Sequence, residues 1–263
     1  MNDLDLSGRI AFITGAGSGI GRAIALRFAK QGATVIATDV DEDKAAVTAA
    51  DAGNGASHYQ MDVGDEAAVA CVYAEVARRH ARLDIQVSNA GVTARTPFLE
   101  VPLEKFHAII RTNLYGVLLC GQQAARLMVA RKSEGRIVNI TSVSGQQGGT
   151  GRSAYGASKA AIINLTQTMA VELAEHKILV NAIAPGPTQV ERTAHGPAQR
   201  EAFLARLAIK RYAEPADIAS AALFLVSTEN RYITGHVLNV DGGFHAAGVM
   251  YDPATGEKPA GAN

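Results

Sequence analysis

Short runs of β-branched residues alternate with longer alanine-rich stretches along most of this chain. The stretches between the runs have the period of helices, whereas the runs have the length and composition of strands. Strands that alternate with helices predict a parallel sheet covered by helices on both faces. The candidate strands are RIAFIT, ATVIATD, SHYQMD, LDIQVSN, GRIVNIT, ILVNAIA and HVLNV. The candidate helices lie near 19–31, 42–52, 65–80, 103–131 with a break near Asn113, 153–175 and 214–227.

The length of the chain, 263 residues with 48% hydrophobic content, allows a substantial buried core. An α/β sheet of this size is commonly one domain, and we expect that domain to span residues 1–244. Within it, the segment at about 187–210 is rich in Pro, Gly and mixed charge, and we predict a substrate lid there. Residues 245–263 lose periodicity and form a predicted tail, which either packs over a neighbouring surface or frays.

Composition excludes several classes of function. The formal net charge is zero, so we expect neither nucleic acid nor an anionic membrane surface as a partner. The two cysteines, Cys71 and Cys120, form no CxxC pair, which favours a reducing compartment. The sequence shows no apolar signal region and no segment long enough to span a bilayer, so we expect a cytoplasmic protein. The seven histidines have no HxxxH or HxH spacing, and we predict no metal site.

A glycine-rich turn, TGAGSGIG at 14–21, follows the first candidate strand and begins the first helix. Glycines let the backbone turn tightly and approach a pyrophosphate, while free N–H groups and the positive end of the helix dipole face its charge. A turn that serves only the fold is the alternative, but the order of strand, turn and helix favours a nucleotide. The predicted binding residues here are Gly15, Ser18, Gly19, Ile20 and Gly21.

Asp39 ends the second strand, eighteen residues after Gly21. This is close to the spacing of about 20 residues from the glycine-rich turn at which an acid reaches the adenosine ribose. Its carboxylate would accept hydrogen bonds from both ribose hydroxyls. It would also repel a 2′-phosphate by roughly 3 kcal/mol per unit charge pair at about 5 Å. We therefore predict NAD rather than NADP. Two alternatives stay open: Asp39 only caps the following turn, or Arg22 binds a 2′-phosphate.

The segment TSVSGQQGGTGRSAYGASK places Tyr155 and Lys159 four residues apart, with Ser142 upstream. On a helix such a pair projects from one face. A cation within a few ångström lowers the pKa of a tyrosine from about 10 by roughly 1 to 3 units, so Tyr155 is predicted to exchange protons near neutral pH. Ser142 is predicted to hydrogen-bond the same substrate oxygen. Alone, the pair also fits a solvated helix surface, but the nucleotide turn supplies the other half of a reaction.

These motifs together resemble the short-chain dehydrogenase/reductase family, and the resemblance covers the chain up to Phe244. The further markers are Asp62-Val63 after the third strand, Ser88-Asn89-Ala90-Gly91 after the fourth, Asn113 in NLYG, and Pro185-Gly186 after the sixth. Ser88 departs from the usual asparagine and leaves the turn intact. The resemblance implies an α/β fold with a single Rossmann-type domain, a doubly wound sheet of seven parallel strands with helices on both faces, and a nicotinamide cofactor.

The resemblance also implies roles for individual residues. Asp62 and Val63 would contact the adenine, while Asn89 and Gly91 would shape the floor beneath the adenosine ribose. Lys159 would hold the nicotinamide ribose as well as the phenolate, and Asn113 would retain a water that links Lys159 to solvent. The implied catalytic set is Asn113, Ser142, Tyr155 and Lys159, of which Tyr155 and Lys159 also bind the cofactor.

The cofactor carboxamide would be oriented by Pro185, Gly186 and the backbone of Thr188. The chain departs from the family at Val190, where a threonine often bonds the carboxamide. Thr188 or Thr193 would then bond the carboxamide in place of that threonine.

Polar side chains are predicted to line the substrate pocket. Ser142, Gln147, Arg152 and Tyr155 are the predicted substrate-binding residues, with Gln146 beside them and Gln189, Glu191 and Arg192 at the start of the lid. Such a rim suits a sugar, polyol or sugar acid. In the alternative interpretation, Arg152 and Arg192 lie in solvent or at a subunit contact.

We therefore predict an NAD-dependent oxidoreductase that transfers hydride between nicotinamide and a small-molecule secondary alcohol or ketone. One alternative is reduction of a 3-oxoacyl thioester on acyl carrier protein, which many relatives perform with NADPH. Another is a non-catalytic dinucleotide-sensing regulator, although such proteins typically lose the Tyr or the Lys. Family habit further implies a homotetramer built on helices at about 114–131 and 153–175, with a tail that is able to reach a neighbouring active site.

Overall fold

A computed structural model describes residues 4–191, 195–248 and 250. Among these residues, seven parallel strands form one sheet in the order β3-β2-β1-β4-β5-β6-β7, with helices around it. The strands are β1 (Ile10–Thr14), β2 (Thr34–Asp39), β3 (Ser57–Gln60), β4 (Ile85–Ser88), β5 (Arg136–Ile140), β6 (Leu179–Pro185) and β7 (Val237–Val240). The fold class expected from the alternating pattern is confirmed.

The helices fill the connections between successive strands. They are α1 (Gly19–Lys30), α2 (Glu42–Ala52), α3 (Glu66–Arg79), α4 (Leu103–Ile110), α5 (Gly116–Ala130), α6 (Ser153–Leu173), α7 (Pro197–Arg206) and α8 (Pro215–Val226). Of these, α7 lies in the predicted lid, where residues 192–194 are outside the described part of the chain. No helix of the described residues is long and apolar enough to cross a membrane.

The core is divided by the sheet into two layers because successive strand residues point to opposite faces. Phe12 of β1 packs in one layer with Met128 of α5 and stacks on Tyr73 of α3, with ring centroids 4.4 Å apart. Its neighbour Ile13 packs in the other layer with Phe28 of α1, against which α8 also lies. Truncating a fully buried aromatic ring of this kind costs about 3–5 kcal/mol.

The long helical stretch that the sequence predicts near 103–131 is interrupted by a five-residue π-helical segment, Arg111–Tyr115. Asn113 lies at the centre of this segment and is fully buried. Such segments are rare and often occur at functional sites, because the extra residue redirects a side chain. The break predicted near Asn113 thus takes the form of a local change of helix type.

The order of the strands reverses between β2-β1 and β4-β5, which leaves a crevice at the carboxyl ends of these strands. Parallel α/β sheets bind ligands at such a switch point. The ends of β1, β2, β4, β5 and β6 carry the glycine-rich turn, Asp39, Asn89, Ser142 and Gly186, respectively. The fold therefore collects the sequence motifs at one edge of the sheet.

Candidate active site

The turn between β1 and α1 has no room for side chains at two of its glycines. A Cβ at Gly21 would lie 2.1 Å from the carbonyl oxygen of Gly15, and a Cβ at Gly15 would lie 2.8 Å from the Cα of Ala90. Gly15 also has a φ of 62°, which other residues rarely adopt. The backbone is therefore held close to the carboxyl end of β4, as a pyrophosphate-binding turn requires.

The amino-terminal end of α1 differs from the ends of its neighbours. Asp41 caps α2 by accepting from the N–H of Lys44, and Asp65 caps α3 by accepting from the N–H of Ala67. Ser18, at the same position of α1, makes no capping hydrogen bond through its side chain. The first N–H groups of α1 thus remain available to an anion, and the helix dipole favours negative charge there. The turn and this helix end fit the pyrophosphate of a dinucleotide.

Asn89 fixes the turn from the end of β4. Its side-chain amide donates to the carbonyl oxygens of Thr14 and Gly15, each at 3.0 Å, and its own N–H donates to Thr14 Oγ1 at 3.0 Å. Asn89 therefore holds the glycine-rich turn in shape from below. Its predicted role in forming the floor beneath the ribose stays a prediction.

The carboxylate of Asp39 lies against the same turn. It accepts a hydrogen bond from the N–H of Gly17 at 3.0 Å and another from the N–H of Asp41 at 3.1 Å. Arg22, the alternative phosphate ligand, instead forms an ion pair with Asp51. Negative charge therefore faces the position where a ribose would be held, with no free arginine from α1 beside it.

Asp62 and Val63 lie at the end of β3 as predicted. Asp62 accepts from Arg111 at 2.6 Å and from the N–H of Gly64 at 2.9 Å. Val63 is buried against Gly116, where an added Cβ would lie 2.6 Å from a methyl group of Val63. These contacts connect the end of β3 to the π-helical segment and to the start of α5.

The segment after β6 is fixed by backbone hydrogen bonds. The N–H of Gly186 donates to Val240 at 3.1 Å, and Thr188 Oγ1 donates back to the Gly186 carbonyl at 3.0 Å. Val190, where the family often has threonine, lies against Gly19, since a Cβ added to Gly19 would be 3.3 Å from a Val190 methyl group. Val190 thus lies beside the turn and Gly186 is fixed to the end of β7, whereas Thr193 and Arg192 are outside the described residues.

Ser142 and Tyr155 come together across the crevice. Ser142 begins a 3-10 turn after β5, and its Oγ accepts from the N–H of Ser144 at 3.1 Å. The Ser142 hydroxyl also lies close enough to the Tyr155 phenol to lower its pKa. The close fit of this turn on α6 requires Gly145, because a Cβ there would lie 2.6 Å from the backbone of Lys159.

Lys159 lies one turn beyond Tyr155 on α6 and is almost fully buried. Its Nζ donates to the carbonyl oxygen of Ile140 at 2.8 Å and lies 5.7 Å from the centre of the Tyr155 ring. Burial lowers the pKa of the amine to about 8. The lysine is therefore positioned by the end of β5.

The pKa of Tyr155 differs in direction from the prediction. Burial raises it above the ordinary value because a phenolate is poorly solvated there, while the nearby Ser142 hydroxyl and the charge of Arg152 act in the opposite direction. Lys159 is not among the groups that lower the Tyr155 pKa, and its amine donates to the carbonyl of Ile140 instead. The predicted lowering of the Tyr155 pKa by the nearby Lys159 is wrong for this arrangement of side chains.

Asn113 is held by hydrogen bonds close to Lys159. Its side chain accepts from the N–H of Val92 at 2.8 Å and donates to Val92 O at 3.0 Å and to Ser158 Oγ at 3.1 Å. A Cβ on Gly91 would lie 3.3 Å from Asn113 Oδ1 and 3.6 Å from Lys159 Nζ. Gly91, Asn113 and Lys159 therefore meet, and the Asn113 side chain is bonded to protein groups, while the water expected beside it stays a prediction.

The predicted substrate residues have different surroundings. Arg152 lies with its guanidinium carbon 5.0 Å from the centre of the Tyr155 ring. Gln147 is bonded at both ends of its amide, to Arg206 at 2.9 Å and to the His245 carbonyl at 3.2 Å. Gln147 thus connects α7 to the segment after β7, and of the two only Arg152 is directed to Tyr155.

A cavity of about 350 Å³ lies on the outer side of the loop that precedes α6. Its lining includes Gln147, Arg152 and Ala160 but none of Ser142, Tyr155 and Lys159. The cavity is therefore not where the catalytic groups meet. Among the residues that the structure describes, no group of three His, Cys, Asp or Glu side chains is placed to hold a metal ion.

Comparison with known proteins assigns this chain to a family. A family model described as Enoyl-(Acyl carrier protein) reductase matches residues 15–245. The chain is 39% identical to the 3-oxoacyl-[acyl-carrier-protein] reductase FabG of Thermotoga maritima over 90% of this chain and 98% of that protein. It is 40% identical to the cis-4-hydroxycyclohexanecarboxylate dehydrogenase of Sinomonas cyclohexanicum, over 90% and 97%. The chain belongs to the short-chain dehydrogenase/reductase family.

Solved structures of short-chain dehydrogenases/reductases have the same fold. A 7α-hydroxysteroid dehydrogenase in complex with NADH is 33% identical with a TM-score of 0.88, over 92% of this chain and 96% of that one. A putative 2-deoxy-D-gluconate 3-dehydrogenase from Agrobacterium tumefaciens with bound NADP is 34% identical with a TM-score of 0.87, over 94% and 100%. The chain is therefore an oxidoreductase of a family that binds nicotinamide dinucleotides.

Sequence reasoning missed one group of residues beside this short-chain dehydrogenase/reductase site. Arg95, on the loop after β4, donates to His195 Nε2 at 3.0 Å, and His195 Nδ1 is 2.8 Å from the hydroxyl of Tyr212. His195 also stacks on Phe203 of α7, with ring centroids 4.9 Å apart. A hundred residues separate Arg95 from His195, and no local motif marks either, so the pattern of the chain gives no signal for this contact.

Proposed function

We propose that this protein is an NAD-dependent oxidoreductase that transfers hydride between the nicotinamide and the secondary alcohol or ketone carbon of a sugar, polyol or sugar acid. The observation that carries the proposal is the meeting of Ser142 and Tyr155, with Lys159 one helical turn away, at the sheet edge that also bears the glycine-rich turn. A proton-transfer group and a dinucleotide cradle at one crevice are the two halves of such a reaction.

The residues of the chain provide the proton chemistry. The nicotinamide, when bound, supplies or accepts the hydride. In alcohol oxidation, Tyr155 Oη takes the proton of the substrate hydroxyl, and Ser142 holds the same oxygen by a hydrogen bond. Lys159, charged below a pH of about 8, would hold the nicotinamide ribose and is close to Asn113, which begins a route for the proton to solvent. Reduction follows the same path in reverse.

The choice of NAD is supported by charge at the end of β2. A 2′-phosphate would approach Asp39, which is bound to the Gly17 N–H, and would not find Arg22, which is paired with Asp51. Relatives bind both NADH and NADP, so the family alone favours neither. The local charge favours NAD by roughly 3 kcal/mol per unit charge pair.

The substrate class is supported by the polar side of the crevice and by relatives. Arg152 beside the Tyr155 ring and the Arg95–His195 contact give this side hydrogen-bond donors. The Sinomonas relative is named for a hydroxylated carboxylic acid and the Agrobacterium structure for a deoxygluconate. Assaying polyols, aldoses and sugar acids with NAD and NADP tests this class, and turnover confined to apolar alcohols would overturn it.

Reduction of 3-oxoacyl thioesters is the second candidate, because the Thermotoga relative at 39% identity carries that name. Acetoacetyl thioesters, assayed with NADH and NADPH beside the panel, separate the two functions. A thioester kcat/KM above that of every sugar, polyol and sugar acid would replace the first candidate by the second.

A dinucleotide-sensing regulator would bind NADH without turning over any substrate, and the retained Tyr155 and Lys159 favour an enzyme over it. We further propose that the protein forms a homotetramer through α5 and α6, as is common in the family. Light scattering measures the mass in solution, and a monomer would overturn the proposed assembly.

A further inference from the structure

Two arginines lie on adjoining loops, and one of them, Arg152, packs over the ring of Tyr155. Arg95 belongs to the loop after β4 and Arg152 to the loop before α6. The two loops are joined by a hydrogen bond from the N–H of Thr96 to the carbonyl of Gly151 at 3.2 Å. A Cβ on Gly151 would lie 3.4 Å from the Cβ of Arg95. The backbone therefore holds the two arginines on neighbouring loops, and the charge of Arg95 acts on Arg152.

Each arginine is held by neutral partners. Arg152 donates to Thr93 Oγ1 and packs over the Tyr155 ring. Arg95 donates to His195 Nε2, and because that nitrogen accepts, the proton of the neutral ring is on Nδ1, which donates to Tyr212. Burial, followed by the charges of Arg95, Arg152 and Arg200, lowers the pKa of His195, which keeps the ring neutral and able to accept.

No carboxylate of the described residues lies within ion-pair distance of Arg95 or Arg152, or of Arg200 and Arg206 on α7. Arg200 and Arg206 lie over the rings of Tyr212 and Phe244 instead, at 4.6 Å and 4.3 Å. Neighbouring like charges repel and are costly, especially for the half-buried Arg152. An anion between Arg95 and Arg152 would remove that cost and accept charge-assisted hydrogen bonds from both.

We propose that Arg95 and Arg152 form an anion subsite, held in place by His195, that binds the carboxylate of a hydroxy-acid substrate. The inference rests on the proposed function, since the hydroxyl of that substrate must reach Ser142 and Tyr155. The carboxylate lies on the Arg152 side of the Tyr155 ring, a few bonds from the reacting carbon. Arg95 and Arg152 thereby select an acid over a neutral polyol.

The test compares hydroxy acids with their own carboxamides, which have the same shape and hydroxyl groups but no charge. Gluconate with gluconamide and 4-hydroxycyclohexanecarboxylate with its amide are suitable pairs, assayed for oxidation with NAD. We expect the acid of at least one pair to exceed its amide at least tenfold in kcat/KM. The variant Arg95→Gln raises KM for that acid by about tenfold to a hundredfold, in line with a charged hydrogen bond, and changes kcat/KM for the amide by less than about threefold.

Two further variants separate binding from structure. Arg231→Gln removes an exposed arginine from the loop before β7, at the opposite edge of the sheet, and leaves both substrates unaffected. His195→Phe retains the stacking on Phe203 but removes the acceptor for Arg95. We expect it to raise KM for the acid with little change in kcat or in the amide, a split that general loss of stability does not produce.

Several outcomes contradict the subsite, and they differ from failure of the proposed function. Absence of turnover on the whole panel would overturn the proposed function together with the subsite. Equal use of acid and amide, or an equal loss on both in Arg95→Gln, would overturn the subsite alone. Preference for a sugar phosphate would replace the carboxylate by a phosphate, and preference for an acyl carrier protein thioester would exclude a small acid as the substrate.

Discussion

The carboxylate of Asp39 accepts the N–H of Gly17 at 3.0 Å, which places a negative charge directly on the turn between β1 and α1. A Cβ on Gly17 would lie 2.9 Å from Asp39 Oδ2, so no other residue type fits between the turn and the carboxylate without movement. The end of β2 and the glycine-rich turn thus form one surface. Under the proposed function, that surface would accept ribose hydroxyl groups and repel a 2′-phosphate in their place.

The first prediction concerns this charge. Asp39→Asn keeps an oxygen that accepts from the backbone but removes the negative charge, so the ratio of kcat/KM for NADP to that for NAD should rise about a hundredfold, equivalent to roughly 3 kcal/mol. Steady-state kinetics with both cofactors measure the ratio. Asp41 lies two residues after Asp39 and its charge is paired with Lys44, so Asp41→Asn should change the ratio much less. A wild-type protein that prefers NADP would contradict the assignment.

The second prediction concerns the fit of the turn. Gly21→Ala places a methyl group 2.1 Å from the Gly15 carbonyl oxygen, and the turn must move because this nearest atom belongs to the backbone. We expect NADH affinity to fall at least tenfold and stability to fall by about 1–3 kcal/mol, as in other overpacked sites. NADH fluorescence titration and thermal unfolding measure the two effects. The control is Gly148→Ala, where a Cβ meets nothing within 4 Å; equal effects in both variants would contradict the close fit.

The third prediction concerns pH. Alcohol oxidation requires the phenolate of Tyr155, whose pKa is raised by burial and lowered by the nearby Ser142 hydroxyl and the charge of Arg152. Removing that charge in Arg152→Gln raises the pKa further, so the rising limb of kcat/KM for oxidation moves to higher pH. The profile is measured with a neutral alcohol, so that the charge of the substrate does not change. Arg152→Lys keeps a positive charge, so the rising limb of its pH profile should stay near the wild-type pH. A rising limb that does not move in Arg152→Gln would show that Arg152 does not act on Tyr155.

The sequence predicted the features that depend on residues close together along the chain. The alternation of β-branched and alanine-rich runs predicts every strand of the sheet, and the strand-turn-helix order predicts the position of Gly15 to Gly21. The direction of the Tyr155 pKa shift was not predictable, because it depends on burial and on where the Lys159 amine points. The Arg95–His195 contact was missed because the fold brings together two loops that are a hundred residues apart.

Proton transfer by Tyr155 is the central claim, and Tyr155→Phe tests it most directly. The variant keeps the ring beneath Arg152 and removes only the hydroxyl that meets Ser142. The measurement is kcat for the best substrate of the panel, with the Kd for NADH determined in parallel. We predict that kcat falls by about 10²–10⁴-fold while the Kd for NADH changes less than about threefold. A kcat within tenfold of the wild-type value would contradict the assignment of Tyr155 as the group that exchanges the proton.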